Sequence, residues 1–182
     1  MDAKRRVVDA DVVVEDGRIR AIEKREKGEG RGSTRRRDVL DCTGLVIIPG
    51  LVQAHVHLCQ TLFRGLADDL ALEDWLAKRI WPLEAAHTEE SVYWSAMLGA
   101  AELLLGGSTT ILDMETVRHT DAAFRALETI GIRATAGKCL MDTLSSPAGL
   151  REETDRALAE AMDLCARWHG RAGGRLRRCR WR

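Results

Sequence analysis

From Pro49 onward the chain alternates between two hydrophobic periods, and that alternation restricts its fold more than any other feature. Leu51 to His57 is a short apolar run of strand length. Thr88 is a good helix cap, with Glu89 and Glu90 in the first turn, and the helix it opens is expected to stop at Gly106-Gly107. Thr109 to Asp113 reads as a strand, Asp121 to Ile130 as a helix closed by Gly131, and Ile132 to Lys138 as a strand. Leu150 to Trp168 again has helical spacing, through Leu158, Met162 and Cys165. Strand and helix in repeated alternation imply an α/β fold with a parallel sheet and helices outside it.

The first of these strands carries the chemistry. Residues i and i+2 of a strand point to one face, so His55 and His57 can aim two imidazoles at one point. Neutral imidazole is a ligand for zinc and other divalent metals. A catalytic zinc usually keeps three protein ligands, and His87, His119 and His169 do not repeat the geometry. Read without its neighbours, the pair fits two strand histidines with ordinary hydrogen bonds equally well. Leu58 to Pro82 is a long connection at the same sheet edge, where parallel-sheet sites are built. His87 and His169 read as surface or structural histidines.

Before Pro49 the pattern is different. Val7 to Val14 and Arg18 to Ile22 flank Asp16-Gly17, which predicts a β-hairpin. Lys24 to Arg37 is charged and Gly-rich, hence a loop. Val39 to Ile48 reads as a strand pair, or a strand with a Thr43-Gly44 turn. Residues 1–48 therefore form a small β unit, and 49–182 a second domain.

Composition excludes several classes. The formal net charge is zero, so no global field favours nucleic acid or membrane. The arginine runs at 31–37 and 167–182 read as solvated segments. The five cysteines, Cys42, Cys59, Cys139, Cys165 and Cys179, contain no C-x-x-C, which argues against a disulfide framework and a thiolate zinc site. A reducing cytoplasm is the expected compartment. No apolar run is long enough to span a bilayer.

The ordered blocks resemble the amidohydrolase superfamily. They lie closest to its methylthioadenosine/S-adenosylhomocysteine deaminases and triazine hydrolases. The blocks are Asp16-Gly17-Arg18-Ile19, Pro49-Gly50-Leu51-Val52 with His55-Val56-His57, and Gln60-Thr61-Leu62-Phe63-Arg64-Gly65. Leu72-Glu73-Asp74-Trp75, Gly106-Gly107-Ser108-Thr109-Thr110 with Asp113-Met114, and Gly131-Ile132-Arg133-Ala134 follow in order. The resemblance runs from Met1 to about Arg177. It implies the first three βα units of a metal-dependent (β/α)8 TIM barrel, preceded by part of a small β-sandwich.

It also implies a hydrolase acting on non-peptide C–N bonds, by deamination of a purine nucleoside derivative or similar N-heterocycle. His55 and His57 match two ligands of a divalent metal, zinc or iron(II). Glu84 matches a carboxylate that contacts the substrate ribose, Trp75 a pocket wall for the purine, and Lys138 a basic group near the substrate's tail, where the subgroup has arginine. Expected partners are a small N-heterocyclic substrate and a further copy of the chain, with neither nucleic acid nor membrane. Triazine or guanine-type hydrolysis is the first alternative. A non-catalytic fragment that needs a complementary chain is the second.

Relatives have a further strand before Met1, and an aromatic, apolar strand where this chain reads Arg178-Cys179-Arg180-Trp181-Arg182. That end suggests a shifted reading frame. The remaining ligands, the base and the late aspartate are expected beyond it, so no catalytic base is expected within the chain and the fragment alone is expected to be inactive.

Overall fold

A computed structural model describes residues 6–24 and 39–178 of the chain. It divides into two compact units, Met1–Pro49 and Gly50–Arg182.

In the first unit, β1 (Asp11–Glu15) and β2 (Arg18–Glu23) pair antiparallel, with a register shift between Val13 and Val14. Asp16 (φ 50°) and Gly17 (φ 70°) are both left-handed, as a two-residue hairpin turn that matches strand twist requires. The strand pair expected over Val39–Ile48 does not form. Only the turn is present: Asp41 Oδ1 accepts from the Thr43 backbone N–H (2.9 Å) and from its hydroxyl (2.7 Å), and Leu45 N–H donates to the Cys42 carbonyl (2.9 Å). The segment has strand-like composition, but no described strand offers it a ladder. Val39, Leu40, Leu45, Val46, Ile47 and Ile48 are 60–86% exposed. The Lys24–Arg37 loop lies outside the described residues except for Lys24.

The second unit is a parallel sheet in the order β3-β4-β5-β6. Its strands are β3 (Leu51–Val56), β4 (Ser108–Met114), β5 (Arg133–Gly137) and β6 (Leu176–Arg178). Gly174-Arg175-Leu176-Arg177 does enter a fourth strand.

Helices cover one face of this sheet. α1 (Leu72–Trp75) runs through a π turn (Leu76–Ile80) into α2 (Trp81–Ala85). The long connection expected over Leu58 to Pro82 is thus a 3-10 segment (Leu58–Phe63), a short link and near-continuous helix. Pro82 explains the π turn: it has no N–H for the carbonyl four residues back, and its ring crowds that carbonyl. α3 (Glu89–Leu105) starts at the expected cap, with Thr88 Oγ1 accepting from Ser91 N–H and Ser91 Oγ accepting from Thr88 N–H. α4 (Thr120–Ile130) ends on left-handed Gly131. α5 (Thr154–Trp168) begins later than its apolar spacing suggests, because Glu153 caps it through Arg156 N–H. α6 (Arg171–Gly174) is a short turn before β6.

The core lies between sheet and helices. Ile111, Ala134, Ala136 and Leu176 from the strands meet Val92, Ala96, Phe124, Leu127, Leu164 and Trp168 from the helices. Gly99 of α3 lets the 3-10 segment approach, since a Cβ there would collide with Thr61 Oγ1 and lie 2.8 Å from Leu58 Cδ2. That contact presses the residues after His57 against the helix layer.

Candidate metal centre

His55 and His57 emerge from the C-terminal end of β3 with ring centroids 4.8 Å apart and ring planes at 85°. His57 Nδ1 lies 2.8 Å from the Met114 carbonyl of β4. A carbonyl only accepts, so Nδ1 carries the proton and Nε2 keeps its lone pair. This is the backbone arrangement that fixes the tautomer of a metal-ligating histidine. The next residue is anchored as well: Leu58 N–H donates to Asp113 Oδ1 (3.1 Å). Two points on β4 thus hold His57, one on its ring and one on the following peptide.

The donor set fits two positions of a divalent metal site. Among the described residues no group of three or more His, Cys, Asp or Glu side chains could hold a metal.

A band of buried polar groups lies behind the pair. Glu84 of α2 is buried and accepts from Gln60 Nε2 (2.8 Å) and Thr116 Oγ1 (2.7 Å). Those two donors tie α2 to the 3-10 segment and to the end of β4. His87, expected on the surface, is buried. Its Nε2 donates to the Cys59 carbonyl (2.8 Å), its Nδ1 pairs with Ser91 Oγ (2.7 Å), and its ring stacks on Phe63 at 4.9 Å. The α3 cap draws it inward, since Ser91 serves both Thr88 and His87. Desolvation pushes its pKa down and keeps the ring neutral.

Asp113 and Glu115 are the deepest acids. They project from the same side of one chain segment, two residues apart. Burial raises the Asp113 carboxyl to about 6, and burial together with Asp113 pushes Glu115 well above the usual carboxylate range. Burial also pushes the Cys59 thiol up, so it is an inert core group and not a thiolate ligand.

Trp75 is half-buried in α1. Lys138 follows β5 with the parity of buried Ala134 and Ala136, and its ammonium is held by Glu152 (2.9 Å) and Glu160 of α5 (2.8 Å). The structure therefore groups Glu84, Gln60 and Thr116, and it joins His57 to Asp113 and Met114. Lys138 belongs to a separate ion cluster under α5. His119 is exposed, with left-handed φ (63°) at the start of α4, and His169 ends α5.

Sequence reasoning missed Glu115, Gln60 and Thr116 as members of this network. The i, i+2 rule that selects His55 and His57 also selects Asp113 and Glu115.

Comparison with known proteins agrees with this geometry. The profile of the amidohydrolase family matches residues 46–177. The 5-methylthioadenosine/S-adenosylhomocysteine deaminase of Desulforudis audaxviator (strain MP104C) is 40% identical over 166 residues, which is 91% of this chain and 36% of that protein. The 5'-deoxyadenosine deaminase of Methanosarcina mazei is 38% identical over 166 residues, 91% of this chain and 35% of its own length. The chain thus spans about a third of the length of the curated relatives it matches. Among solved structures, E. coli guanine deaminase superposes with a TM-score of 0.64 at 32% identity, covering 71% of this chain and 30% of that one. Atrazine chlorohydrolase from Arthrobacter aurescens TC1, complexed with zinc, superposes with a TM-score of 0.80 at 23% identity over 98% of this chain and 43% of that one, a likeness of fold. The α/β architecture is that of a TIM-barrel enzyme family, and the chain belongs to the amidohydrolase family.

Proposed function

We propose that this chain is the N-terminal part of a metal-dependent aminohydrolase that deaminates a purine nucleoside derivative. In this reading β3 to β6 are the opening strands of a (β/α)8 barrel, and the β1–β2 hairpin is part of a small β-sandwich. The observation that carries the reading is the His55–His57 pair with the His57 tautomer fixed by Met114. The deaminase relatives at about 40% identity support the reaction class.

His55 and His57 would hold the metal, zinc or iron(II). When bound, that metal supplies Lewis acidity and makes the attacking water acidic enough to act as a nucleophile at neutral pH. The remaining roles belong to the protein. Glu84 accepts hydrogen bonds, and its present donors, Gln60 Nε2 and Thr116 Oγ1, occupy the positions that substrate hydroxyls would share. Trp75 offers an aromatic face on which a purine stacks. Lys138 is assigned to the substrate's tail through the 138–152 segment that its pairing with Glu152 ties down.

Two imidazoles are fewer than the three protein ligands of a typical catalytic zinc. We therefore expect this chain alone to release no ammonia from 5-methylthioadenosine or S-adenosylhomocysteine. A longer protein that adds the remaining barrel strands is expected to do so, and to lose the activity on His57→Ala. Turnover by the purified 182-residue chain, abolished by His57→Ala, would overturn the expected inactivity. Guanine is the competing substrate, on the strength of the 32% identity to E. coli guanine deaminase. Ammonia release from guanine and not from adenine nucleosides would decide for it.

A further inference from the structure

β4 and the residue after it read Asp113-Met114-Glu115, and the whole tripeptide serves one corner of the sheet. Met114 accepts from the His57 ring, and Asp113 Oδ1 accepts from Leu58 N–H. Glu115 N–H donates to the Gly137 carbonyl (2.9 Å), which fixes the tripeptide against β5. Asp113 and Glu115 are both buried away from solvent. Asp113 Oδ2 and both Glu115 carboxyl oxygens have no ordinary donor within reach.

Two bare carboxylates cannot stay side by side in such a setting. Each would forfeit its hydration, and each would repel the other at low dielectric. The nearby Lys138 ammonium does not relieve them, because it is held by Glu152 and Glu160. One proton between the two carboxyls satisfies orphaned oxygens on both, because a carboxyl then donates to a carboxylate. The Asp113 carboxylate that results is the group that grips the peptide after His57.

We propose that Asp113 and Glu115 form a hydrogen-bonded carboxyl–carboxylate pair that positions His57 for metal through the Leu58 amide. The inference rests on the reading of His57 as a ligand and extends it to two residues outside the ligand set. Asp113 and Glu115 are positioning residues here, since neither touches the metal. Glu115 keeps Asp113 in place, and Asp113 keeps the Leu58 peptide in place. The Met114 carbonyl between them sets the ring.

A zinc titration of the 182-residue chain tests the pair, read by competition with a chelating dye, with the His57 Nδ1–H signal followed by NMR. Glu115→Gln supplies an amide donor to Asp113 Oδ2. Asp113→Asn still accepts from Leu58 N–H and donates to Glu115. Both are expected to bind zinc within about threefold of wild type and to keep the ring N–H signal. Asp113→Ala is expected to weaken zinc by about tenfold or more, the usual cost of losing a group that orients a ligand, and to lose that signal. If Asp113→Ala binds zinc like wild type while His57→Ala does not, the positioning role is wrong and the ligand assignment survives. If His57→Ala itself binds like wild type, the ligand assignment is wrong. Should Asp113→Ala fail to fold, the carboxyl 13C shifts of wild type at pH 7 decide. One protonated and one ionised carboxyl support the pair, and two ionised carboxylates overturn it.

Discussion

The two units of the chain are built from similar residues and treat them in opposite ways. Val39, Leu40 and Val46 are as apolar as Ile111, Leu127 and Ile132, yet the first three lie 78–86% exposed and the second three at most 1% exposed. The difference is one of partners. Ile111 has β3 and β5 on either side and α3 and α4 over it. Val39–Ile48 has neither a ladder nor a covering layer among the described residues. Apolar composition creates a demand for burial, and only neighbouring elements meet it.

The largest expected effect puts that contrast to a direct test. Leu127→Ala should destabilise the chain by about 2–5 kcal/mol in urea unfolding, by loss of buried methyl groups and the cavity left behind. Leu40→Ala should change stability by less than about 0.5 kcal/mol. Equal losses would mean that Leu40 is covered in solution, and the contrast would collapse.

A smaller effect separates the buried acids from the surface ones. The raised Asp113 pKa means that the native state still holds a proton which the unfolded chain has released, between its ordinary 3.8 and about 6. Stability contributed by this group therefore falls as pH rises through that window and is level above it. Wild type should lose stability relative to Asp113→Asn from about pH 4 to 7. His87 acts in the other direction, losing stability as pH falls below its ordinary 6.5, but it does so in both proteins and cancels in the difference. A difference that stays constant with pH would show Asp113 to be ionised throughout.

The smallest effect is local. Thr88→Ala removes the acceptor for Ser91 N–H and should cost about 1 kcal/mol. Because Ser91 also holds His87, a cost well above that would show that the cap and the buried imidazole act as one unit.

What is legible in the sequence follows the same division. Asp16-Gly17, Thr88, Gly131 and the i, i+2 histidines are local devices, and each acts in the structure where its spacing places it. The parallel sheet follows from alternation alone. Val39–Ile48 misleads because its propensity is local but its partners are not. His87 misleads because its burial depends on Cys59, 28 positions earlier, and on a serine shared with the cap. The helical character of Leu72–Ala85 is hidden by Pro82, which ordinarily breaks a helix and here only widens one turn. Glu115 escapes notice because a buried acid gives no sign of itself until its surroundings are known.

That widened turn has a consequence for how this enzyme family can change. A π turn carries one more residue than the helix around it needs, and each helical residue rotates the side-chain direction by about 100°. Leu76–Ile80 therefore sets the phase of everything after it in the helix. Removing one residue there would turn Glu84 away from Gln60 and Thr116 without altering Glu84 or either partner. The direction of that carboxylate is encoded in the length of the segment, so a single-codon deletion could exchange one inward-facing side chain for another in one step.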